Sequence, residues 1–251
     1  MRTLLILVAL MVAAVGGYAF KEFALAREVQ PVLAQQEIDQ AIARYLKEHP
    51  GDVMAALQAA QAQAEQQQKQ VALQALADRK AEIFDNPADP VLGNPEGDVT
   101  VVEFFDYRCP YCKRVSDALV TLVQGDPKVR VVFKEFPILG PESLVAAKVA
   151  LAAHRQGKYH EVHAALMAHK GSFEKAALLE LAANAGADEQ RLSADMEDPA
   201  ILGQLQANDS LAAELGITGT PGFLFGNQLV PGAVSLDDMK KLVAEARATA
   251  G

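Results

Sequence analysis

Tryptophan is absent from this 251-residue chain, and it carries only two cysteines and six methionines. The missing tryptophan bears on no function. The cysteine count is more restrictive, because two thiols can build neither a disulfide framework nor a zinc site of the four-cysteine kind. Basic residues are in deficit, 23 Lys and Arg against 32 Asp and Glu for a net charge of -9. No basic cluster offsets that deficit, which argues against nucleic acid as a partner. Long apolar runs are also missing, with one exception at the N-terminus.

What is present centres on Thr100–Arg114, an apolar strand running into Cys109-Pro110-Tyr111-Cys112 at the opening of a helix. Two thiols separated by two residues at a strand-to-helix junction form a redox pair. The first turn of a helix presents unpaired N–H groups and the positive end of the macrodipole, which favour a thiolate. Cys109, at the mouth, is therefore the candidate nucleophile, and Cys112, one turn further in, the resolving thiol. Pro110 suits the first helical position, where no N–H partner is needed. A structural disulfide across two residues would close almost no loop and stabilise little. A zinc site would need two more ligands.

The exception is Leu4–Val15, which follows Arg2 and precedes small residues, the order of a secretory signal. Ala24-Leu25-Ala26 fits a cleavage site that leaves Arg27 as the mature terminus. An uncleaved anchor is the alternative, since the apolar stretch of about 17 residues is at the lower limit for spanning a bilayer. Either way the remainder is exported, where disulfide chemistry persists. Arg27–Gly251 is ample for one domain and an accessory segment.

Residues 27–84 are expected to form a helical arm. Ile38, Ile42, Tyr45 and Leu46 share one face of a first helix that stops at His49-Pro50-Gly51, and Asp52 is a candidate cap for a second running to about Phe84. The second helix is Ala/Gln-rich and has no continuous apolar stripe. It should pack against a partner or act as a spacer, and homo-oligomerisation through residues 30–60 is the preferred reading. Residues 85–98, with Pro87, Pro90 and Pro95, read as a linker. A strand over 99–106, a helix from Pro110 and a second strand within 128–137 predict a parallel pair. A helical block over about 142–215 follows, punctuated by Gly157, Gly171, Gly186 and Gly216. A hairpin turning at Gly226-Asn227 and a last helix opened by Ser235 close an α/β domain with a mixed sheet.

Cys-Pro-Tyr-Cys, a helical insertion and then Gly219-Thr220-Pro221 before a hairpin and helix resemble a thioredoxin fold of the DsbA-like type, over about residues 92–250. The resemblance implies a thiol:disulfide interchange enzyme with a cis Thr220–Pro221 bond facing the redox pair. Thr220 and Pro221, with Pro110 and Tyr111, would then bind an extended client strand. It also implies that Glu103, six residues before Cys109, lies under the disulfide and can take the proton of Cys112. With Pro-Tyr between the cysteines instead of Pro-His, a less oxidising pair is expected. The Gln-rich arm together with these motifs is similar to the ScsC-type (suppressor of copper sensitivity) branch. Implied partners are unfolded or misoxidised exported proteins and a membrane redox protein that resets the pair, in the periplasm. No organic cofactor is implied, and the choice between oxidase and isomerase stays open.

Two readings from other classes compete. Two thiolates can hold Cu(I), and His154, His160, His163 and His169 fall in one helical stretch, though no methionine cluster accompanies them. A non-catalytic chaperone could use the same cleft.

Overall fold

A computed structural model describes residues 35–249, so the signal-like stretch 1–26 lies outside the described residues. The chain divides into two compact units, residues 1–65 and 66–251. In the first, helix α1 covers 35–48 and α2 (Pro50–Asp78) begins. Pro50 takes the first helical position, so Asp52 sits inside the first turn and does not cap it. Its carboxylate instead accepts the Tyr45 hydroxyl at 2.9 Å. Ile38, Ile42, Tyr45, Leu46, Met54 and Leu57 are all about half exposed.

The single helix expected from Asp52 to Phe84 is broken at Arg79, and a short α3 follows (Lys80–Phe84). The Arg79 guanidinium bridges Glu82 at 2.6 Å and Glu214 at 2.5 Å. The stretch 85–98, read from its prolines as a linker, holds a strand of the sheet, β1 (Val91–Gly93). The sheet continues with β2 (Val99–Phe105), β3 (Val129–Glu135), β4 (Gly222–Phe225) and β5 (Gln228–Pro231), in spatial order β1-β3-β2-β4-β5. As the alternation of strand and helix predicted, β2 and β3 are parallel, joined by α4 (Pro110–Gly125). β1 and β4 add antiparallel to β3 and β2, and β5 to β4.

Between β3 and β4 lie α5 (Pro141–His154), α6 (Tyr159–Ala168), α7 (Lys175–Asn184), α8 (Glu189–Asp195) and α9 (Pro199–Leu215). The short α8 is capped by the Asp188 carboxylate accepting Arg191 N–H at 2.9 Å. The last helix, α10, is Leu236–Thr249. Among the described residues no helix is long and apolar enough to cross a membrane.

Because β2 and β3 are covered on both faces, they read as continuous apolar runs. Val101, Phe105, Val131 and Phe133 pack with α4 and the inserted helices. Val102, Phe104 and Val132 face Ala75, Ile83, Phe84 and the end of α9. The fully buried charged group on that second face of β3 is Lys134, which donates to Asp89 and, at 2.6 Å, to Glu82 O. Gln204 satisfies the other Asp89 oxygen at 2.9 Å. Lys134→Met strands the Asp89 carboxylate without its cation and should lower unfolding stability by about 3–5 kcal/mol in urea titration. Adding Asp89→Asn should recover most of that loss.

Candidate functional site

The site begins where β2 ends. Asp106, buried, accepts Arg108 N–H at 2.7 Å and Leu139 N–H at 2.9 Å through its carboxylate, and Cys109 N–H at 3.0 Å through its carbonyl. That turn delivers Cys109 to the N-cap of α4 with extended backbone (φ -73, ψ 118) and puts Pro110 at the first helical position. The unpaired N–H groups of the first turn therefore open beside the Cys109 sulfur. Both thiols are free, Cys109 at 4% exposure and Cys112 at 0%.

The Thr220–Pro221 peptide is cis, and the Cys109 Sγ–H donates to Thr220 O at 3.2 Å. Gly232 N–H donates to Pro221 O at 2.9 Å, tying the loop to the end of β5. Gly222 follows because a Cβ there would lie 2.7 Å from Ile217 Cγ2. A cavity of about 210 Å³ borders the loop, lined by Ile217, Gly219, Leu229 and Pro231 among others.

Glu103 lies beneath. It is 1% exposed and sits in register between Phe133 and Phe223 of the neighbouring strands, on the sheet face that packs against α4. Its Oε1 has no hydrogen-bond partner. Burial, and after it the negative charge of Cys109, pushes its carboxyl up to about 8. Cys112 is likewise driven upward, by burial first and by Glu103 second. Glu103 thus lies beneath the two sulfurs, and Thr220, with Pro221, lies beside Cys109, while Pro110 and Tyr111 form the first turn between the cysteines. Tyr111 is 53% exposed and carries the Arg114 guanidinium 4.6 Å above its ring. Lys113 donates to His169 O.

Sequence reasoning missed a second buried cluster beside the first. The Tyr107 hydroxyl donates to Glu135 Oε1 at 3.0 Å and lies 3.0 Å from His163 Nδ1. Tyr159 donates to the same Oε1 at 2.9 Å. Burial raises Glu135 well above the carboxylate range, with both tyrosine hydroxyls opposing, and pushes His163 down to about 3. His163, which shares one helical stretch of the sequence with His154, His160 and His169, is buried and neutral. Among the described residues no group of three or more His, Cys, Asp or Glu is arranged to hold a metal ion. The only advance signal for the cluster was a polar Asp106-Tyr107 pair between a buried strand and a thiol.

The model of a DSBA-like thioredoxin domain matches residues 100–244, more than half the chain. Among solved structures, a thioredoxin-like oxidoreductase from Silicibacter pomeroyi is 46% identical, with TM-score 0.65, covering 67% of this chain and 97% of that one. The catalytic domain of Proteus mirabilis ScsC is 30% identical with TM-score 0.64, covering 70% and 98%. Among curated proteins, the thiol:disulfide interchange protein DsbA of Bordetella parapertussis is 29% identical over 61% of this chain and 76% of its own length. The first curated relatives are Na(+)/H(+) antiporters NhaA of Salinispora tropica and Salinispora arenicola, 33% and 32% identical, and the chain spans only 26% of each.

Proposed function

Since this chain belongs to the DsbA-like thioredoxin family, we propose that it is an exported thiol:disulfide oxidoreductase that forms or rearranges disulfides in unfolded or misoxidised proteins. The observation that carries the reading is the placement of the Cys109 sulfur at a helix N-cap, 3.2 Å from Thr220 O. There the first-turn N–H groups open beside the sulfur, and the neighbouring backbone can pair with an extended client. In the reducing direction, the Cys109 thiolate attacks a client disulfide. A Cys109–client S–S bond forms and the other client sulfur leaves as a thiolate. Cys112 then gives its proton to the Glu103 carboxylate and attacks Cys109 Sγ. The Cys109–Cys112 bond closes, and the client leaves with both sulfurs reduced. Oxidation of a client runs the same steps in reverse.

Export through residues 1–26, a membrane partner that resets the pair, and assembly of several chains through residues 30–60 complete the reading. The half-exposed Ile38, Ile42 and Leu46, spaced four residues apart on α1, support assembly. Several sites held around one client raise the effective concentration of attacking thiol, which favours shuffling over single oxidation. The test is Ile42→Glu with Leu46→Glu in the full mature chain. Sedimentation should fall to the monomer, and reactivation of a scrambled multi-disulfide substrate should drop at least several-fold while oxidation of a reduced peptide is kept. An unchanged sedimentation coefficient would remove assembly through the arm. Loss of oxidation as well would mean that the arm serves the chemistry itself.

A further inference from the structure

Away from the two thiols, a cleft runs between α4 and α6. Lys113, Ser116, Asp117 and Val120 recur at i, i+3, i+4 and i+7, so one face of α4 forms its first wall. On α6 the same spacing brings His160, His163, Ala164 and Met167 to the second wall, and Phe133 of β3 reaches the gap from the sheet. Ser116 and Ala164 are too short to meet across it, and a cavity of about 210 Å³ stays open to solvent. Phe133, His163 and Met167 are buried at its floor, whereas Asp117 and His160 stand at the exposed rim.

The floor holds one buried polar group with an unused bond. His163 Nδ1 lies 3.0 Å from the Tyr107 hydroxyl, whose own proton goes to Glu135. Nδ1 therefore carries the hydrogen of the neutral ring, and Nε2 keeps a bare lone pair. Among the described residues nothing donates to Nε2, yet the sealed side-chain atoms without a partner are Glu103 Oε1 and Ser143 Oγ. Nε2 is thus not sealed in, and the open space it meets is the cleft. The ring cannot turn it elsewhere, because it stacks on Tyr159 with centroids 5.3 Å apart and leans on Phe133 at 4.6 Å.

The charges around the cleft select the occupant. Lys113 donates to His169 O and lies 5.2 Å over the Phe173 ring, so an ammonium group would lose its water beside a fixed cation. An anion would set its charge against the Nε2 lone pair and Asp117. An uncharged O–H suits the floor, and an aromatic ring suits the thioether of Met167 and the ring of Phe133. The size agrees, since an apolar cavity of roughly 150 Å³ holds benzene. We propose that the α4–α6 cleft is a binding site for a small uncharged aromatic alcohol, its ring against Phe133 and Met167 and its hydroxyl donating to His163 Nε2. The site is independent of the exchange reaction assigned above, and its test reads no redox activity.

The experiment is nitrogen-15 NMR of histidine-labelled full-length protein titrated with phenol. The His163 Nε2 resonance should move upfield and saturate with a Kd on the order of 1 mM. Saturation-transfer NMR on the ligand then compares variants. In His163→Phe, which keeps a ring in the stack, phenol should bind about 5- to 10-fold more weakly, while toluene, equal in shape but without a donor, should keep its affinity within about 2-fold. Ala164→Leu, on the open side of α6, fills the mouth of the cleft and should weaken both ligands at least several-fold. A His163 Nε2 resonance that phenol does not move overturns the proposal, as does an equal loss of phenol and toluene in His163→Phe. If His163→Phe does not fold, Ala164→Leu decides the location, and unchanged phenol binding in that variant overturns it.

Discussion

Cys112→Ala should arrest exchange at the mixed disulfide, leaving the client covalently attached to Cys109. Cys109→Ser should abolish exchange, with a loss on the order of 10³-fold or more in the rate of disulfide reduction. The asymmetry follows from position. Cys109 occupies the helix mouth beside Thr220, where a client sulfur can reach it, whereas Cys112 is wholly buried one turn inward and can meet only Cys109. Mass spectrometry of the trapped adduct and a turbidity or fluorogenic reduction assay check the two halves. An adduct formed through Cys112 in the Cys109→Ser protein would reverse the assignment of roles. Retention of client holding by the double Cys→Ser protein would separate a chaperone activity from the redox one.

Glu103→Leu should make the protein more stable and slower. In the folded chain the Glu103 carboxyl is raised from 4.5 to about 8. The folded state therefore holds a proton that the unfolded state releases once the pH exceeds about 4.5, and stability falls as pH rises between about 4.5 and 8. Above that window the loss is complete, on the order of 4–5 kcal/mol. Leucine, close in size and free of charge, removes the dependence. The gain in urea-derived stability should be small at pH 4, grow through pH 8 and level off. The Cys112 resolution step should slow in the same variant. A stability gain that did not vary with pH would mean that Glu103 ionises in the folded chain as it does in the unfolded one, so that burial does not raise its carboxyl.

Much of the redox site is legible in the sequence. Cys-Pro-Tyr-Cys at a strand–helix junction announces its own geometry, because a helix mouth needs only local chain direction. The place of Glu103 under the thiols comes only from the family resemblance, because a glutamate in an apolar strand can also face solvent at a sheet edge. The Tyr107–Glu135–His163 cluster carried no such mark, since its members lie 28 and 56 residues apart and meet only through the folded insertion. Lys134 and Glu135 could not be oriented from spacing: a strand covered on both faces lacks the polar alternation that reveals which side is which, so adjacent charges ended in unrelated networks. The three-residue β1 was hidden by the prolines around it, whose turn chemistry dominates so short a segment.

That hidden strand has a practical side for anyone trimming or fusing the protein. A protease site or tag joined at residue 93 would discard the edge of the sheet together with the carboxylate that neutralises Lys134, and the product should precipitate or be degraded before its thiols could be assayed. A start at Gln66, where the second compact unit begins, keeps both the edge and its counter-charge. It also retains the Gln68 side chain against the carbonyls of Ala213 and Glu214, at the end of the helix that leads into the Thr220 loop.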